Sequence, residues 1–243
     1  MQSTQRILKT LAQAYAQHWW LPTIMVLLLL PLGASHFLLF HTLVELFAIT
    51  IAVISTIVAW NTYALVKNQF LWILGCGYFL IAGLDMAHML TFVGMPFIEN
   101  NSGNTSLQFA SAVKFFEAVL LFSAPLFINE RYQKRNFIIA LGFLGLVAGW
   151  SIFYDLLPVL YVDIEGLTDT KVYFEYFIVF LLAIALVSFW RVRSKIEKSI
   201  FVVMNIAITL SLLSALTLSF YSAFDDSMII VGHILKLLSY WAV

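Results

Sequence analysis

Long apolar stretches alternate along this chain with short polar ones. Eight apolar segments, roughly 20–37, 42–66, 70–93, 107–129, 136–158, 172–190, 199–223 and 228–243, are separated at "HTL", "VKNQ", "GMPFIENNSGNTS", "NERYQKRN", "PVLYVDIEGLTDT", "RVRSKIEKS" and "FDDS". Runs of about 18 apolar residues are long enough to cross a bilayer core, so the pattern predicts membrane-spanning helices. Pro22, Pro31 and Gly33 interrupt the first segment, which a membrane helix tolerates better than a soluble one. No fixed-period repeat or low-complexity tract is present, and "ENNSGNTS" reads as a polar, turn-rich loop. The predicted fold class is all-α: a polytopic bundle of eight transmembrane helices.

Basic residues orient that bundle. Arg6 and Lys9 precede the first segment, and Lys67 follows the second. Arg131, Lys134 and Arg135 follow the fourth, and Arg191, Arg193, Lys195 and Lys198 follow the sixth. Ten of the thirteen Lys and Arg residues thus fall in alternate breaks. The other breaks carry Glu99, Asp155, Asp163, Glu165, Asp169, Asp225 and Asp226. Cytoplasmic loops attract Lys and Arg, so eight spans with both termini in the cytoplasm satisfy the alternation; seven or nine do not.

Composition agrees. The chain has 243 residues, 62% hydrophobic and 11% charged, with a mean hydropathy of +0.95, whereas a soluble domain keeps about a quarter charged. Zero net charge implies no nucleic-acid or acidic partner. The single cysteine, Cys76, excludes an internal disulfide framework. No small-residue cleavage site follows "LPTIMVLLLLPLGASHF", so the first span is read as retained. Residues 1–19 form a cytoplasmic segment and 20–243 the membrane domain. Trp19, Trp20, Trp60, Trp72 and Trp190 suit interfacial belts or lipid-facing positions, and His18 and His36 read as interfacial.

The three remaining basic residues, Lys114, Lys171 and Lys236, lie in or at the spans, and they have company. His41 and Glu45 are four residues apart, Asp85 and His88 three, Lys114 and Glu117 three, Lys171 and Glu175 four, and His233 and Lys236 three. Each spacing puts both side chains on one helical face, and every pair falls in the predicted outer half of the bilayer. An ionisable side chain at the bilayer centre costs at least about 2.5–3.5 kcal/mol, so such residues normally face the bundle interior and mark function. Five helices therefore present polar groups toward one outer pocket.

Several chemistries fit this set. His41, His88 and His233 at one depth suit a transition metal, with Glu45 and Asp85 as ligands or as partners that orient the rings. Two histidines on facing helices suit haem b. The same groups suit hydrogen bonding to a small polar ligand, or a purely structural network: Lys171–Glu175 as an interfacial ion pair, Lys114–Glu117 as a packing pair. No HxH, HExxH or CxxC signature decides among these.

The strings "FHTLVELFAI" (40–49), "LDMAHMLTFVGM" (84–95), "VKFFEA" (113–118), "GLTDTKVYFEY" (166–176) and "GHILKLLSYW" (232–241) resemble the membrane-associated sensor domain of the third MASE type. The resemblance runs from about residue 35 to the end. It implies an N-terminal input module of a bacterial inner-membrane signalling protein, not itself an enzyme. A PAS domain, diguanylate cyclase, cyclic-di-GMP phosphodiesterase or histidine kinase would follow as the cytoplasmic output, in a protein that is homodimeric at full length. The family's polar marks fall on His41, Glu45, Asp85, His88, Glu117, Lys171, Glu175, His233 and Lys236. Two positions depart from it: lysine stands at 114 where arginine is expected, so no planar bidentate clamp forms there, and the basic residue expected near Val93 is absent. The chain stops at "LSYWAV" inside the eighth segment, as an excised input domain would. The alternative reading is a transport or haem/redox membrane protein using the same cluster.

Overall fold

The computed structural model describes residues 19–66, 68–97, 103–128, 133–162, 165–220 and 227–243. Expectations resting on residues 1–18, including Arg6, Lys9 and His18, and on Lys67, Glu99, Arg131, Asp163, Asp225 and Asp226 lie outside the described residues. Eight α-helices appear among those described: α1 (Trp20–Ser35), α2 (Phe37–Val66), α3 (Gln69–Leu90), α4 (Gly103–Ser123), α5 (Lys134–Phe153), α6 (Asp169–Val192), α7 (Lys198–Thr217) and α8 (Ser227–Ala242). Six of them, α2 to α7, are long and apolar enough to cross a membrane, whereas α1 and α8 are shorter apolar helices.

Local chemistry sets the boundaries. Asn68 caps α3 by accepting from the Leu71 amide at 3.2 Å, and Thr168 caps α6 by accepting from the Lys171 amide at 3.3 Å. Pro125 turns the end of α4 into a short 3₁₀ helix, Ala124–Phe127. Only His36 separates α1 from α2, so α2 begins five residues earlier than its apolar run suggests, and His41 sits a full turn inside it. Between α5 and α6 the chain makes a small antiparallel pair, β1 (Tyr161–Val162) with β2 (Gly166–Leu167).

Six helices close a ring, each packed against the next: α2, α3, α4, α6, α7, α8 and back to α2. Helix α1 leans on α2 and α8 from outside, and α5 on α3 and α4. Small residues let the ring close. Gly75 of α3 lies so close to Ala59 and Ser55 of α2 that no side chain fits between, and the Thr56 hydroxyl donates to the Gly75 carbonyl at 2.7 Å. Trp72 corrects the interfacial expectation. It is 2% exposed, with Trp60, Tyr63 and Phe137 around its ring, while Trp20, Trp60 and Trp190 are exposed. Hydropathy alone cannot separate the two situations, because lipid and protein interior are equally apolar.

The loop after α5 is tied over one end of the ring. The Asn104 side-chain oxygen accepts from the Leu160 amide at 2.7 Å, and the Gln108 side chain donates to the Pro158 carbonyl at 2.9 Å. Leu160 then packs with Leu107, Leu218 and Ile229, above the polar groups inside the ring.

Candidate functional site

All five predicted pairs converge inside the ring, at the end roofed by Leu160. Helix α2 brings His41 and Glu45, α3 brings Asp85 and His88 from its last turns, and α8 brings His233 and Lys236 from its second and third. His41, Glu45 and Asp85 are completely buried, and His88 and His233 nearly so. Their ligand-capable atoms form a tight knot. His41 Nε2 is 3.2 Å from His88 Nε2, and Glu45 Oε1 is 3.3 Å from His233 Nε2 and 4.0 Å from both other rings. One atom from each of the four residues lies within 4.8 Å of the other three.

The outer bonds of two rings fix what faces inward. His88 Nδ1 is 2.9 Å from the Ser106 carbonyl oxygen, and His233 Nδ1 is 2.8 Å from the Ile229 carbonyl oxygen. A carbonyl only accepts, so in each ring Nδ1 carries the proton and donates it. That leaves each Nε2 facing the knot, where a neutral ring offers a lone pair to an ion and a protonated one donates. Glu45 Oε1 faces His233 Nε2 at 3.3 Å, a contact that is favourable with a proton or a metal cation between the two atoms. His41 is held differently: Phe92 stacks on it at 3.9 Å, and its Nδ1 has no hydrogen-bond partner.

Lys236 closes the knot from below. Its Nζ donates to Glu45 Oε2 at 2.5 Å and to Asp85 Oδ1 at 2.7 Å, joining α8 to α2 and α3. Asp85 thus pairs with Lys236 across the ring rather than standing beside His88 as a ligand. A second ion-pair group sits next to the first. Glu175 Oε1 accepts from Lys114 Nζ at 2.8 Å and lies 3.5 Å from Lys171 Nζ, and Lys171 also donates to the Leu218 carbonyl at 2.5 Å. Lys114 therefore joins Glu175 rather than its helical neighbour Glu117. Glu117 Oε1 instead accepts from the Ser211 hydroxyl at 3.2 Å, which meets Ser239 at 2.9 Å.

A cavity of about 50 Å³ separates the two ion-pair groups. Glu45, His88, Ser106, His233, Lys114, Lys171 and Lys236 contribute its polar wall, and the rest is apolar. His41, Asp85, Glu117 and Glu175 stand behind that wall. Below lies a smaller space of about 20 Å³ among Lys114, Glu117, Ser211, Ser214 and Lys236, enough for one water with several polar partners.

The ionisable residues were visible in the sequence; their supports were not. Ser106, the Ile229 carbonyl and Phe92 hold the imidazoles, yet a serine, a backbone atom and a phenylalanine in a 62% hydrophobic chain give little to find them by. Ser211 and Ser239 carry a weak signal, since small polar residues collect where membrane helices touch.

A model of the membrane-associated sensor domain family, MASE3, matches residues 32–243, nearly the whole chain. The chain belongs to that family, as its motifs suggested, and is a multi-pass membrane sensor domain. No curated protein and no solved structure matches it.

Proposed function

We propose that this sensor domain is the input module of a bacterial signalling protein, and that its stimulus acts through a transition-metal ion held by His41, His88, His233 and Glu45. One observation carries the reading: three imidazoles and a carboxylate from three helices gather their ligand atoms within 4.8 Å of one another. In a tetrahedral site with bonds of about 2.0–2.1 Å, neighbouring ligand atoms stand roughly 3.3 Å apart. Four of the six separations are 3.2–4.0 Å and all lie within 4.8 Å, so a modest contraction of the cluster would reach that value. His88 and His233 also donate their far nitrogens to backbone carbonyls, the usual support of a metal-ligating histidine. Imidazole with one carboxylate suits zinc, copper, iron or nickel.

Haem is a poorer fit. Axial nitrogens on opposite sides of an iron stand about 4 Å apart, given bonds near 2 Å, and the 3.2 Å between His41 and His88 is too short. A transporter would need ionisable groups leading to both faces, whereas the carboxylates, lysines and histidines inside the ring gather toward one end.

All eight helices cross the bacterial inner membrane with both termini cytoplasmic, so the cluster opens toward the outside. Lys134, Arg135, Arg191, Arg193, Lys195 and Lys198 lie at the helix ends opposite the cluster, in support of this orientation. Helix α8 carries both a ligand, His233, and the bridging Lys236, which makes it the route to a C-terminal output: a PAS domain, diguanylate cyclase, phosphodiesterase or histidine kinase, in a homodimer. An ion shifts that equilibrium only by its differential affinity for two packings.

Elemental analysis of protein purified in mild detergent without chelators tests the reading. The expected result is about one transition-metal ion per chain, lost in His88→Ala with expression unchanged, and an output locked in one state when that substitution is made in the full-length protein. Wild-type protein that neither retains nor takes up a transition metal overturns it.

A further inference from the structure

We propose that the ion, held by its four protein ligands, takes a small monoanion as a fifth ligand from the side of the 50 Å³ cavity. The domain would then read metal and anion together. The inference rests on the metal reading and adds what the ion is exposed to.

Two observations point this way. Glu45, His88 and His233, three of the four metal-site residues, form part of the cavity wall, and His41 does not. An ion among them therefore has protein on one side and free space on the other, so its coordination can expand from four to five toward the cavity. Next is the sign of the wall. It contains the side chains of Lys114, Lys171 and Lys236 but a single carboxylate, Glu45, which the ion would use. The lysines' other partners, Asp85 and Glu175, stand behind it. Apart from Ser106, the remaining wall, including Phe92, Leu107, Leu218 and Ile229, is apolar and lowers the local dielectric, which strengthens the field of the ammonium groups.

The volume sets the class: a halide, formate or azide fits, and an amino acid or sugar does not.

Azide titration of the copper(II)-loaded chain in detergent tests this, because azide bound to copper(II) gives a charge-transfer band. Wild type should hold one copper and show a saturable band, absent in His88→Ala. Lys171→Met removes one wall ammonium, while Glu175 keeps its partner Lys114. It should keep its copper and bind azide about tenfold more weakly, as expected for loss of one nearby charge. Should that variant not fold, competition on wild type decides: formate and chloride should displace azide, and uncharged formamide at equal concentration should not. Stoichiometric copper with no azide band, azide binding unaffected by Lys171→Met, or displacement by formamide overturns the anion site alone. Failure to bind copper overturns the metal reading together with it.

Discussion

Helices α3 and α5 are nearly twins by composition. They have 22 and 20 residues with mean hydropathies of 1.7 and 1.9, yet 67% of the α3 window is buried inside the protein and 6% of the α5 window. Helix α3 sits in the ring between α2 and α4, touches α5 as well, and carries Asp85 and His88. Helix α5 turns Phe143, Leu146, Trp150 and Phe153 outward, and its charged residues are confined to its first turn. Hydropathy reports the medium a helix tolerates, and lipid and packed protein are the same medium to it. Close backbone approach and buried ionisable groups distinguish the two.

Matched substitutions should separate the helices, most of all at the proposed metal site. His88→Ala on α3 should lower metal affinity by more than about a hundredfold, beyond the 10–100-fold typical of residues that merely orient a ligand. Phe143→Ala on α5 should leave it unchanged by calorimetric titration. Equal losses would mean that the metal binds outside the ring. Next comes the lysine that ties α8 to α2 and α3. Lys236→Met strands two buried carboxylates and should cost about 3–5 kcal/mol, read as a fall in thermal midpoint in detergent. Adding Asp85→Asn should recover part of it. Lys134 of α5, whose ammonium lies 3.2 Å from the centre of the Tyr63 ring, should cost no more than about 1 kcal/mol when changed to Met.

Glycines give the finer contrast. A Cβ at Gly75 would meet the Ala59 methyl and stand 2.9 Å from the Ser55 carbonyl oxygen, so Gly75→Ala should push α2 and α3 apart and destabilise by about 1–3 kcal/mol. A Cβ at Gly142 of α5 would meet nothing within 4 Å. Gly142→Ala should be neutral or stabilising by up to about 1 kcal/mol, the helix-propensity gain. If both thermal midpoints shift equally, the α2–α3 contact is not the tight one.

The same contrast explains what could be read from the chain. Eight helices were legible because polar breaks interrupt apolar runs, and the site residues were legible because charge within such a run is conspicuous. His41, Glu45, Asp85, His88, His233 and Lys236 all stood out at a common depth before any geometry. Their partners were hidden. Asp85 lies one turn from His88 in sequence, yet it bonds Lys236, 151 residues away, since only the order of helices around the ring decides which faces meet. Trp72 and Trp60 carry the same side chain, and only the placement of α2, α3 and α5 puts one in the core and leaves the other exposed. Ring order is a tertiary property that no window of sequence contains.

The lysine bridge also has a history in time. Lys236 follows Glu45 by 191 residues, so a ribosome adding about 5–20 residues per second makes the acid roughly 10–40 s before its base. Through most of that interval Glu45 and Asp85 belong to an unfinished protein whose interior carboxylates have no Lys236 to meet. Pairing of these acids therefore awaits the synthesis of α8, and a chain truncated before α8 keeps them without that partner.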